Sequence, residues 1–159
     1  MDEADFDVFI DGFSGQPMAA AWAAPTVTFR PDSRELPVGA FAALFGGVVA
    51  FGAAAMAALD EHLAPFGEWL PLRGERYWTF NTLAEADILD PARSKADYFA
   101  PGRIMDLQRL VLRRPVPRSL PMIFKLPEWK DGRALITAEF LRLVEERRLT
   151  GLDPGTLSD

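Results

Sequence analysis

The sequence predicts an α+β fold in a single compact domain, with several short strands and two main helices. The length, 159 residues, is that of one domain and is enough to bury a core. The composition is 49% hydrophobic and 25% charged, with 12 Phe and 4 Trp, which is too apolar for a disordered chain. Short apolar or β-branched runs bounded by Pro, Gly or charge recur throughout. Only two stretches carry a helical period, without the strict strand–helix alternation of a doubly wound parallel sheet. No repeat, low-complexity tract or linker divides 1–159.

The first expected strand is Thr26–Phe29, β-branched and aromatic, ended by Pro31. Val38–Leu59 then runs for 22 residues without a charge. As one helix it would be roughly 33 Å long, enough for a single span, so a membrane protein through 38–59 is one reading. Gly46-Gly47 and Gly52 interrupt it, however, and it meets Asp60 and Glu61 rather than a basic flank. The better division is a turn at Gly46-Gly47, a buried strand Val48–Phe51 and a helix Ala53–Leu63. Met56, Leu59, Leu63 and Phe66 share one helical face, and Pro65 with Gly67 ends the element. Gly67–Leu72 leaves the helix as an extended segment. Strands follow at Tyr77–Phe80, Arg109–Leu112, Met122–Lys125 and Ala134–Ile136. The last helix covers Thr137–Arg148. Thr137 is its N-cap, Phe140, Leu141 and Val144 its buried stripe, Arg147 and Arg148 complement its dipole, and Gly151 is its stop.

Charge is divided along the chain. Net charge is −6 and the pI about 4.8, which disfavours a grip on nucleic acid or an anionic membrane through overall charge. Met1–Leu70 has 10 acidic and 2 basic residues, whereas Pro91–Arg133 has 10 basic and 4 acidic. The basic stretch includes Arg109, Arg113, Arg114 and Arg118, but the aromatic interleaving of a stacking platform is missing around them.

Without cysteine there is no disulfide, thiolate ligand or cysteine nucleophile. His62 is the only histidine and has no second His at metal-ligand spacing. Gly12-Phe13-Ser14-Gly15 is a turn rather than a nucleophile elbow, and no phosphate-cradling glycine motif occurs, so no metal, cofactor or catalytic residue is expected. The acidic N-terminus, unlike a secretory signal, predicts cytoplasmic residence. Carboxylates and arginines are abundant enough that a small enzyme or ligand-binding module with a carboxylate/Arg cleft stands as an alternative.

The order of short phrases along the chain resembles a family of small bacterial immunity proteins from polymorphic toxin systems, immunity protein family eleven, formerly a domain of unknown function. The phrases begin with Ile10-Asp11-Gly12 and Trp22-Ala23-Ala24-Pro25. Ala58-Leu59 then leads to the run from Leu63 through Phe66-Gly67-Glu68-Trp69 to Leu72, which is similar to the family's central signature. Tyr77-Trp78-Thr79-Phe80-Asn81 and Leu89-Asp90 with Ser94 continue it. Ile123–Pro127, Ile136-Thr137 with Phe140, and Leu149-Thr150-Gly151-Leu152 resemble its closing block. Asp153-Pro154-Gly155-Thr156 departs from the aromatic continuation usual in the family, so a strand after Leu152 is in doubt.

The resemblance implies a non-enzymatic protein, without cofactor, that binds and neutralises a cognate toxin domain encoded by a neighbouring gene. Together with the charge distribution it makes Asp5, Asp7, Asp11, Asp60 and Glu61 the candidate partner-binding residues, an acidic surface for a basic toxin.

Overall fold

Antiparallel pairing organises the chain from Phe41 to Thr82. The computed structural model describes residues 9, 13–28, 39–44, 47–74, 76–100 and 102–155. Strands β1 (Phe41–Ala43), β2 (Val49–Gly52), β3 (Gly67–Pro71) and β4 (Tyr77–Thr82) form one sheet in the order β1-β2-β4-β3, every neighbour antiparallel. Helix α1 (Ala53–Leu63) crosses from β2 to β3. The 38–59 run is therefore not one helix. Gly47, at φ +81°, lies in the turn that folds β1 back on β2, and Leu44 N–H donates to the Val48 carbonyl across it. Among the described residues no helix is long and apolar enough to cross a membrane.

The fold is α+β, with two α-helices and eight short strands among the described residues. Alternation along β2, β3 and β4 puts Phe51, Trp69 and Phe80 on one sheet face. Their rings, with Phe41, make successive edge-to-face contacts at centroid distances of 5.2, 5.1 and 4.9 Å. Ala55, Leu59 and Leu63, spaced four apart on α1, pack on this face. Helix α2 (Ala138–Glu146) adds Phe140, Leu143 and Val144 to the same cluster. Trp69 Nε1 donates to Asp60 Oδ1 at 2.9 Å, tying the end of α1 to β3.

The opposite face carries Glu68, Tyr77, Thr79 and Asn81 and is met by residues that precede β1. Phe9, Val27, Leu72, Ala50 and Tyr77 form a second cluster there, with Phe13 and Trp22 packed against it. Thr26–Phe29 is not a strand: Thr26 makes an isolated parallel bridge to Arg73, and Phe29 lies outside the described residues.

The rest of the chain builds two hairpins over a third cluster. Strands β5 (Lys95–Ala100) and β6 (Arg103–Arg109) pair with each other, as do β7 (Ile123–Phe124) and β8 (Leu135–Ile136). Ile104 and Leu107 bury against Ile88, Leu89, Phe124 and Leu126. Arg109–Leu112 was expected as a strand, but Arg109 closes β6 and Leu112 makes only an isolated bridge to Leu89. The strand expectations at Tyr77, Met122 and Ala134 hold, with ends shifted by one or two residues.

Helix α2 ends earlier than Gly151. Arg148 N–H donates to the Glu145 carbonyl and Leu149 N–H to the Val144 carbonyl, a paired closure in which Arg148 itself takes φ +53°. Gly151 serves the next contact: a Cβ there would lie 2.6 Å from the Phe41 carbonyl oxygen, so glycine lets the chain pass against β1. Leu149 and Leu152 then pack on the helix-side core, and 153–155 form no strand.

Gly67 is as constrained. A Cβ added to it would lie 2.2 Å from the Asn81 carbonyl oxygen and 2.7 Å from the Phe80 ring, so β3 approaches β4 closely at this residue. Gly67→Ala should therefore lower unfolding stability by about 1–3 kcal/mol, the usual cost of overpacking, as read by urea denaturation. A variant of unchanged midpoint would show that the strand can shift freely.

Candidate partner-binding surface

One side of the β5–β6 hairpin is buried and the other is not. Ile104 and Leu107 face the core, while Tyr98 is 44%, Phe99 65% and Met105 49% exposed. The register slips at Lys95/Ala96, Asp97/Tyr98 and Tyr98/Ala100. These irregularities break the two-residue alternation, so the neighbours Tyr98 and Phe99 both emerge. Polar contacts frame them. The Arg103 guanidinium lies 5.3 Å from the Phe99 ring centroid and 2.8 Å from Asp131 Oδ2, and Gln108 Nε2 donates to Asp97 Oδ2 at 2.7 Å.

The base of the hairpin borders an open groove of about 1350 Å³, lined by Arg93, Lys95, Arg109 and Arg114 with Val111, Leu112 and Val116 among the apolar walls. Its backbone is held by short-range bonds. Asp90 Oδ1 accepts from Ala92 and Arg93 N–H at 3.1 and 3.2 Å. Ser94 Oγ donates to the Val111 carbonyl and accepts from Val111 N–H. Arg109 Nη2 donates to the Arg93 carbonyl at 2.8 Å, so one cation of the groove is oriented by the backbone beside another.

The sequence-derived candidates divide. Asp5, Asp7 and Asp11 lie outside the described residues. Asp60 and Glu61 occupy the last turn of α1 and, with Met56, His62 and Arg147, border a shallow cavity of about 550 Å³. Asp60 is half-buried and accepts the Trp69 bond, a fold role, while Glu61 is exposed. His62 sits in the last turn of α1. No group of three His, Asp or Glu able to hold a metal exists among the described residues. Sequence reasoning missed the exposed hairpin, although Pro101-Gly102 between Tyr98-Phe99 and Ile104-Met105 is a turn dipeptide between apolar pairs and was the available signal.

Among the described residues Lys125 is the titratable group with a resolved shift. Only 3% of it is exposed, and its ammonium donates to the Phe13 carbonyl and, at 2.6 Å, to the Lys130 carbonyl. Burial pushes its pKa from 10.5 down to about 8, against the opposing field of Asp131. A lysine so shifted suits proton transfer, but this one lines neither cavity and spends its donors on main-chain carbonyls, joining the N-terminal segment to the chain after β7.

The shift has a sign that experiment can read. Between pH 8 and 10.5 the folded protein has released a proton that the unfolded chain still binds, so this group makes stability rise with pH across that window. Urea unfolding of the native protein should show that rise relative to Lys125→Met. Parallel pH profiles for the two proteins would refute it.

No protein-family model matches this chain, and a search of curated proteins returns no match.

Proposed function

We propose that this chain is a non-enzymatic immunity protein of the bacterial cytoplasm that binds a cognate toxin domain, encoded by a neighbouring gene, and blocks it. The observation that carries the reading is the outward side of β5–β6. Tyr98, Phe99, Met105 and Val116 are the exposed large hydrophobics among the described residues, and all fall within 98–116. Aromatic and Met side chains framed by Arg, Asp and Gln have the composition of a docking centre with a polar rim. The order of phrases from Ile10 to Leu152 supports the same reading. So does the acidity of Met1–Leu70, since a toxin domain acting on nucleic acid would tend to be basic. Asp5, Asp7, Asp11, Asp60 and Glu61 then steer encounter, and the apolar residues of the hairpin supply most of the affinity.

The second reading, a small ligand-binding module or enzyme with a carboxylate/Arg cleft, has one observation in its favour: Asp60, Glu61, His62 and Arg147 share a cavity.

Co-expression with the neighbouring toxin gene in a susceptible host should protect it, and the purified proteins should form a complex. Tyr98→Ser and Phe99→Ser should each weaken that complex by roughly tenfold or more with the melting temperature unchanged. Replacing Asp5, Asp7 and Asp11 by Asn should slow association and flatten its salt dependence. No protection and no complex would remove the immunity reading. Protection with undiminished affinity in both hairpin variants would remove the hairpin as docking centre.

A further inference from the structure

We propose that the groove at the base of the β5–β6 hairpin receives an extended, carboxylate-rich polypeptide segment. The inference deepens the immunity reading, on which it rests only for the identity of the protein that carries the segment.

Four cations converge on the groove, and their pairing differs from that of three cations that flank it. Arg103 meets Asp131 at 2.8 Å, Arg113 meets Asp87 at 3.0 Å and Lys130 meets Glu85 at 2.7 Å. Within the groove Arg93 has only a distant carboxylate, Asp90 at 4.0 Å, and Lys95, Arg109 and Arg114 have no carboxylate at ion-pairing distance among the described residues. Three flanking cations are thus neutralised while three of the four in the groove keep a charge unpaired among the described residues, although the net charge of the chain is −6. Because Arg109 is already held against the Arg93 carbonyl, a carboxylate binding there meets a donor whose orientation is set beforehand.

Shape and lining decide between anions. At about 1350 Å³ and open to solvent, the groove exceeds the roughly 300–1000 Å³ of a small-molecule pocket and suits a chain lying along it. A nucleic acid is the less suitable polymer because no lining residue is aromatic, so bases have nothing to stack on. Val111, Leu112, Pro115 and Val116 instead offer aliphatic walls that suit the methylenes of Glu and the apolar residues between acids.

Fluorescence anisotropy with a labelled peptide of alternating Glu and Val tests this directly, beside a Lys-Val peptide of equal length and a labelled oligothymidylate. The Glu-Val peptide should bind, weakening as salt rises, and the other two should not. Lys95→Glu and Arg114→Glu remove side chains that bond to nothing among the described residues, so both variants should melt as the native protein does. Each should weaken the peptide by roughly tenfold. Arg118→Glu, in the same loop but outside the groove, should leave binding unchanged. Failure of the Glu-Val peptide to bind, tighter binding of the oligothymidylate, or equal binding by the groove variants would overturn the proposal. A protein that protects against its toxin while failing these tests loses the groove and keeps the immunity reading. One that binds the peptide but protects against nothing loses the immunity reading and keeps the groove.

Discussion

A four-stranded sheet has two faces to hide, and in this chain α1 and α2 cover one of them. The other is met by residues before β1, which carry no α-helix or named strand between Phe13 and Thr28. Backbone that lies against a sheet without a strand ladder leaves N–H and C=O groups to be met by side chains. Glu68 meets two of the N–H groups. Its Oε1 accepts from Met18 N–H at 2.6 Å, Ala19 N–H at 3.2 Å and Asn81 Nδ2 at 2.9 Å. Asn81 Nδ2 also donates to the Gln16 carbonyl, Trp22 Nε1 to the Pro71 carbonyl, Arg73 to the Ala24 carbonyl and Lys125 to the Phe13 carbonyl. Polar side chains, Asn81 and Lys125 buried and Glu68 half-buried, thus stand in for a strand ladder along this segment.

The same constraint explains which parts of the fold were legible in the sequence. Helix α1 and β2 could be read because Ala-rich periodicity and a Gly-bounded apolar run are local signals, and Thr137 announced α2 by its cap position. Thr26–Phe29 has strand composition, yet Val27 N–H and Arg73 N–H bond across to the Arg73 and Pro25 carbonyls in a single bridge, a pairing set by distant residues. The β5–β6 hairpin was hidden because its register slips mask the alternation by which a half-buried strand is recognised. Lys125, read from sequence as the end of a strand, lies one residue past β7 and makes an isolated bridge to Glu85. The partners of its ammonium are 112 and 5 residues away, and nothing in its neighbourhood foretells them.

The candidate site was legible in kind more than in place. The uneven charge was plain, and it directed attention to acids at Asp60 and Glu61, of which Asp60 holds Trp69 to the helix end. The gathering of Arg93, Lys95, Arg109 and Arg114 into one groove depends on the hairpin bringing Lys95 opposite Arg109, a register that composition does not contain. The surface accordingly joins an apolar outward face to a basic groove at its base, while the acids of α1 lie on a separate element. Rigid turn bonds at Asp90 and Ser94 support the groove, so a partner would meet it preformed and lose less entropy on docking.

On this account Glu68 holds residues 13–28 to the sheet as a unit. Amide hydrogen exchange in the native protein and in Glu68→Ala tests it most directly. Met18 and Ala19 lose their acceptor in the variant, whereas Val27 keeps its own bond to the Arg73 carbonyl at 2.9 Å. Faster exchange at all three, with the α2 amides unchanged, is the predicted result. Unchanged exchange at Met18 and Ala19, or acceleration that stops there and leaves Val27 protected, would contradict it.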